Sequence, residues 1–149
     1  MKLKKNVAAL VPQSGTKGFT LIELLVVMGI IAILVAVVAI AVNPGRQFSN
    51  ARDTTRRSHL RELLSAIYQY AAQNNGNVPA VITSTPTAIG TNAGLFDLES
   101  ALIPNYLDEL PTDPSNGTRG NTLYVIFRNG NRLTASATGE IAPNITQTQ

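Results

Sequence analysis

The chain has 149 residues, no cysteine and a single histidine, which leaves room for one modest globular domain and none for disulfides, thiolate metal sites or cysteine nucleophiles. Its formal charge of +3 is local in origin: Lys2, Lys4, Lys5 and Lys17 all precede the first acid, Glu23, and without them eight basic residues face nine acidic ones. The basic character therefore marks the amino terminus and gives little support to a nucleic-acid partner.

From Phe19 to Val42, 24 residues contain only two polar side chains, Thr20 and Glu23, and Asn43, Pro44 and Gly45 follow. At about 1.5 Å per residue, a helix of that length spans roughly 36 Å, enough for a hydrocarbon core of about 30 Å. A core helix of a small soluble domain is shorter and amphipathic; this run is apolar all round and reads as a membrane span. Three fates compete for it. It can stay in the bilayer as a signal anchor, or be cut after Ala41, where Ala39, Ile40 and Ala41 form an A-x-A pattern. In the third, a leader is removed ahead of the run, which the mature protein keeps.

Glu23 discriminates among these fates. An acid at the middle of a spanning helix costs roughly 2.5 to 3.5 kcal/mol, less toward the ends. Near a helix N-terminus it also gains from the dipole and can reach the headgroups. Gly18, Phe19, Thr20, Leu21, Ile22 and Glu23, with Lys17 before them and the apolar run behind, closely resemble the processing site of the type IV pilin family. The resemblance covers about the first third of the chain. It implies cleavage after Gly18 by a membrane aspartic protease, methylation of the new amino terminus at Phe19, and pairing of Glu23 with the amino group of a neighbouring subunit's Phe19. A glycine at the scissile position supplies an unhindered, extended backbone. Orientation follows from the resemblance as well, since the lysines before the run and Arg46, Arg52, Arg56 and Arg57 behind it balance under the positive-inside rule.

Past Gly45 the helical period continues. Leu60, Leu63, Leu64, Ile67, Tyr70 and Ala71 form one apolar stripe, predicting an amphipathic helix over 47–74 ended by Asn74, Asn75 and Gly76. Pro44 and Gly45 predict a kink at its start. Related pilins carry a helix-breaking residue nearer the middle of the apolar segment, where this chain has only Gly29. Asp53 stands four residues before Arg57, the favourable order for a surface ion pair, so the arginine cluster reads as a solvated or lipid-facing surface. His59 reads as a surface residue. The segment 76–121 reads as a long loop, interrupted by a short helical piece opened at Asp97 with Leu98, Leu102 and Ile103 on one side.

The stretch 101–117 resembles the region before the strands in pilins and in the major pseudopilin of type II secretion, a class that binds calcium. Asp108, Glu109 and Asp113 offer oxygen ligands, but only Glu140 follows them, so turn-forming aspartates beside prolines account for the pattern. No metal or cofactor is expected. Residues 122–137 predict a β-hairpin turning at Asn129-Gly130. Leu123, Val125 and Phe127 are placed on one face with Leu133, Ala135 and Ala137 opposite. A further short strand is placed around Glu140 and Ile141, and the tail 142–149 is read as loose.

The expected fold is α+β: a leader 1–18, a membrane or filament-core helix 19–43, and a head 44–149 in which a helix packs on a small antiparallel sheet, as in pilins. Without cysteine the head must hold by packing alone. The functional expectation is a filament subunit made as a prepilin and polymerised with other pilin copies from the bacterial inner membrane to an extracellular or periplasmic filament. A prepilin peptidase/methylase, an assembly ATPase and a platform protein are the partners the resemblance implies. A secretion pseudopilin is the alternative within the family; a secreted domain cut at Ala41 and a membrane-anchored binding module are the alternatives outside it. An enzyme is the weakest reading, with one histidine, no cysteine and no phosphate-binding loop.

Overall fold

The computed structural model describes residues 18–149; the basic leader with Lys2, Lys4, Lys5 and Lys17 lies outside the described residues. The chain divides at Asn43 into an apolar helix and a head. Helix α1 spans Leu21–Val42, 22 residues, and none of its side chains is buried. Its many valines and isoleucines are mediocre helix formers in water. In hydrocarbon, however, every backbone N–H must be satisfied within the segment, and the helix is the form that does so. At about 33 Å it is long and apolar enough to cross a membrane.

Asn43 opens the head. Its backbone is left-handed, φ 44° and ψ 79°, and its Oδ1 accepts from the Arg46 N–H over 3.3 Å, capping helix α2, Pro44–Gln73. Asparagine is one of the few residues that adopt this conformation readily. Pro44 then occupies the first turn, where its missing N–H costs nothing, so α2 starts three residues before the expected position 47. At the other end Asn75 (φ 55°) and Gly76 (φ 81°) turn left-handed, and the Gly76 N–H reaches the Ala71 carbonyl over 2.8 Å.

Four antiparallel strands lie in the order β1 (Thr87–Ala88), β2 (Val125–Asn129), β3 (Arg132–Ala137) and β4 (Ile145–Thr148). A short helix α3, Glu99–Leu102, precedes β2. Leu60, Leu63, Leu64 and Ile67 of the α2 stripe are buried in one core with Tyr124, Ile126, Leu133, Ala135 and Ala137 from the hairpin, and Ala71 is buried beyond them. Each fully buried Leu or Ile side chain contributes up to about 1.5–3 kcal/mol. This is an α+β, pilin-like arrangement in which the helix that packs on the sheet is α2.

The hairpin departs from expectation in its inward face. The turn is Gly130-Asn131, with Asn129 paired to Arg132, and Gly130 at φ 61° gives the glycine-first pattern of a type II′ turn. Across a two-residue turn every even-numbered residue of β2 opposes an odd-numbered one of β3, as in Ile126↔Ala135. Tyr124 and Ile126 therefore share the core face with Leu133, Ala135 and Ala137, while Leu123, Val125 and Phe127 take the other face.

The region 76–121 holds more structure than a loop. It contributes β1, α3 and the buried side chains Ile82, Ile89, Leu98, Leu102, Leu107 and Leu110. Leu98 and Leu102 fall one helical turn apart at α3, as the sequence predicts, while the others follow no common period. The carboxy-terminal segment is not loose: Ile145 is buried and β4 pairs with β3 from Ile145 to Thr148. No strand forms at Glu140 and Ile141, because their N–H groups are committed to Asp53 over 2.9 and 3.0 Å.

Candidate functional site

Gly18 and Phe19 precede α1 and are exposed, Phe19 at 87%. A Cβ at Gly18 would meet nothing within 4 Å, so the chain's own packing does not require glycine there. Glu23 is the third residue of α1. Its Oε2 accepts from the Thr20 N–H (2.9 Å) and the Thr20 hydroxyl (2.8 Å), while the Glu23 N–H donates to Thr20 Oγ1 (3.2 Å). This reciprocal arrangement is a capping box, T-x-x-E, and it satisfies two donors that a helix start leaves orphaned. Within the described residues Glu23 Oε1 makes no hydrogen bond. The site is thus a carboxylate fixed by its own helix cap, with one oxygen open, in the first turn of an exposed 22-residue helix, Leu21–Val42, that is otherwise apolar.

A second polar constellation lies in the head, and sequence reasoning missed it. Arg56 is almost wholly buried and donates all of its N–H groups: Nε to Asp113 Oδ2 (2.6 Å), Nη1 to Asp53 Oδ1 (2.8 Å) and Glu140 Oε1 (3.2 Å), Nη2 to Asp113 Oδ1 (3.0 Å) and Ser115 Oγ (3.0 Å). Asp53 also accepts from the backbone N–H groups of Glu140, Ile141 and Ala142. Arg52 grips Glu140 from the outside, with Nε at 2.6 Å. Asp53 therefore pairs with Arg56, not with Arg57, and the pair faces inward. The signal was available: the stripe through Leu60 and Leu64, run backwards by threes and fours, reaches positions 56 and 53.

The electrostatics follow from this geometry. Burial raises the cost of ionising Asp53, yet its three backbone donors and Arg56 outweigh that and bring its pKa from 3.8 down to about 2. Asp113 is lowered likewise, burial opposing and Arg56 prevailing. Glu140 is held below the ordinary glutamate range, chiefly by Arg52. Arg56 itself is raised, first by Asp113. Both Asp113 oxygens are engaged by Arg56, and among the described residues no group of three or more His, Asp or Glu side chains is placed to hold a metal ion.

A cleft of about 650 Å³ opens between α2, α3 and the 108–119 segment, with His59 and Glu62 on one wall and Asp108, Glu109, Glu99 and Arg119 on the others. His59 is half-buried rather than a surface residue. Its Nδ1 lies 2.8 Å from the Tyr124 hydroxyl, and its ring meets the Tyr124 ring edge-on at 5.9 Å. Tyr124 in turn donates to the Thr112 carbonyl over 3.2 Å. With the phenolic proton spent there, Nδ1 is the donor of the His59–Tyr124 bond. Burial raises the pKa of Tyr124 above the ordinary phenol value.

Residues 13–39 match the family described as the prokaryotic N-terminal methylation motif. No curated protein and no solved structure matches the chain. The match takes in Gly18, the Thr20–Glu23 cap and most of α1. The chain thus carries the N-terminal methylation motif that is the hallmark of type IV pilin and pseudopilin prepilins.

Proposed function

We propose that this chain is a structural filament subunit, cut between Gly18 and Phe19, N-methylated at Phe19 and polymerised out of the inner membrane into a type IV pilus-like filament serving adhesion, motility or DNA uptake. The observation that carries this reading is the methylation motif over residues 13–39 standing directly on a capped helix whose side chains are all exposed. An apolar helix without a partner of its own requires either lipid or other copies of itself. Moving from one to the other exchanges one apolar surrounding for another, so the transfer is close to neutral once neighbours close around it.

Glu23 fits both surroundings. In the bilayer its Oε2 is satisfied by Thr20 near the headgroup end of the span. In the filament the open Oε1 accepts the ammonium of a neighbouring Phe19, compensating two charges that would otherwise stay buried alone. The prepilin peptidase supplies that ammonium, and an assembly ATPase and platform protein drive extraction. Within this reading the chain has a structural role and no catalytic one.

The test is the amino terminus and intact mass of the protein recovered from native cells. A methylated Phe19 start is expected. A Val42 start would instead make it a secreted domain released after Ala41, and an intact Met1 start a plain membrane anchor.

A further inference from the structure

Two charged surfaces flank the buried stripe of α2 on opposite sides. With 3.6 residues per turn, Arg57 and Arg61 lie roughly 70° and 110° to one side of the stripe through Leu60 and Ile67, while His59 lies roughly 90° to the other side and Glu62 beyond it, roughly 150° from the stripe. Arg57 and Arg61 are one turn apart, partly or fully exposed, and form no ion pair among the described residues. Glu62, Asp108 and Glu109 stand exposed around the cleft of about 650 Å³ and are likewise unpaired within the described residues. The cleft's remaining charges, Glu99 and Arg119, neutralise each other. One flank of the head is thus a cationic ridge and the other an anionic recess.

We propose that the recess formed by Glu62, Asp108 and Glu109 receives the Arg57–Arg61 ridge of a second copy of this chain. The proposal rests on the filament reading, which brings copies together, and adds which surfaces of the heads meet. A second copy is the partner because complementary charge sits on two separate surfaces of one head, the Arg57–Arg61 turn of α2 and the recess formed by Glu62 with Asp108 and Glu109. After each docking the pair still offers one free ridge and one free recess. Such a heterologous contact can repeat, and where its rotation does not close into a ring it generates the open helical array a filament needs, whereas a two-fold contact would stop at a dimer. Opposite charges also set the register of approach, since a head turned the wrong way presents like charge to like.

The absence of cysteine makes thiol cross-linking specific. Ser65→Cys, one turn beyond Arg61 on the ridge, and Thr118→Cys, on the cleft wall, leave all five proposed charges in place. In cells producing the full chain, a short bismaleimide should join the Ser65→Cys/Thr118→Cys double variant into a ladder of dimers, trimers and higher species. Each single variant should give none, and the two co-expressed should give a mixed dimer. Arg57→Glu/Arg61→Glu in the double-cysteine background should cut the ladder about tenfold, and adding Glu62→Lys/Asp108→Lys/Glu109→Lys should restore it. A product that stops at dimers, efficient linking within one single variant, or no ladder from thiols that still take up a monofunctional maleimide would overturn the proposal. Shearing and sedimentation of wild-type filaments is run in parallel: filaments without a ladder sink the docking alone, while a Phe19 start that never appears sinks the filament reading.

Discussion

Asp53 and Arg56, one turn apart on α2 and both almost fully buried, are joined over 2.8 Å, and through them two distant segments are fixed to the helix: Asp113 by Arg56, and the Glu140–Ala142 backbone by Asp53. A buried charge without its counter-charge is far costlier than a buried pair. Arg56→Ala should therefore lower the unfolding free energy of the head by about 3–5 kcal/mol, measured by urea titration of the detergent-solubilised chain. Arg56→Lys should recover little of the loss, because an ammonium cannot serve both Asp113 oxygens and Asp53 with a planar fork.

The same cluster sets the acid response. Asp53, Asp113 and Glu140 all have folded pKa values below their ordinary ones, so their stabilisation is present above the unfolded values and is lost as pH falls through the folded ones. Thermal unfolding of the head should be nearly flat between neutrality and about pH 5 and should drop on the way from 3.8 to about 2 for the Asp53 share. Asp53→Asn should unfold at a lower temperature at pH 7 and show a shallower acid limb. An equally steep limb in that variant would remove Asp53 from the account.

The hairpin register makes neighbouring residues differ sharply. Ile126 is wholly buried opposite Ala135, while Val125 pairs with Ser136 on the other face. Ile126→Ala should cost about 2–5 kcal/mol and Val125→Ala under about 1 kcal/mol, read from denaturation midpoints. The reverse order would restore the odd-numbered face to the core.

At the amino terminus, Glu23→Ala should leave membrane insertion and cleavage intact and abolish most filament incorporation, scored by comparing sheared and membrane fractions. Normal filaments from that variant would remove the assembly role of Glu23. Gly18→Leu should accumulate uncut precursor. Its packing neighbourhood is empty, so a block there reports on the protease's need for a slim residue and not on misfolding.

What could be read in advance tracks how local its cause is. The apolar run, the Gly18–Glu23 pattern and the α2 stripe each follow from a few adjacent residues and one helical period. Asn129 and Gly130 announced the hairpin, but the turn falls one residue later, and a two-residue turn sets even-numbered residues of β2 opposite odd-numbered ones of β3, so Leu123, Val125 and Phe127 do not share a face with Leu133, Ala135 and Ala137. Leu98 and Leu102 were legible as one side of the short helical piece after Asp97, whereas Ile82, Ile89, Leu107 and Leu110 share no period with them or with one another. Ile145 drew a polar tail into the sheet. Arg56 and Asp53 could be placed on the buried face by extending the α2 stripe backwards, but not their long-range partners, since Asp113 and Glu140 lie 57 and 84 residues from Arg56.

Every wholly buried apolar side chain of the head falls between Leu60 and Ile145, and α1 contributes none. The folding equilibrium of the head and the choice of phase around α1 are consequently separate thermodynamic variables. In the filament proposed above, a change of surroundings for the amino-terminal helix would be governed by that helix's own transfer free energy, because the core of the head takes no side chain from it.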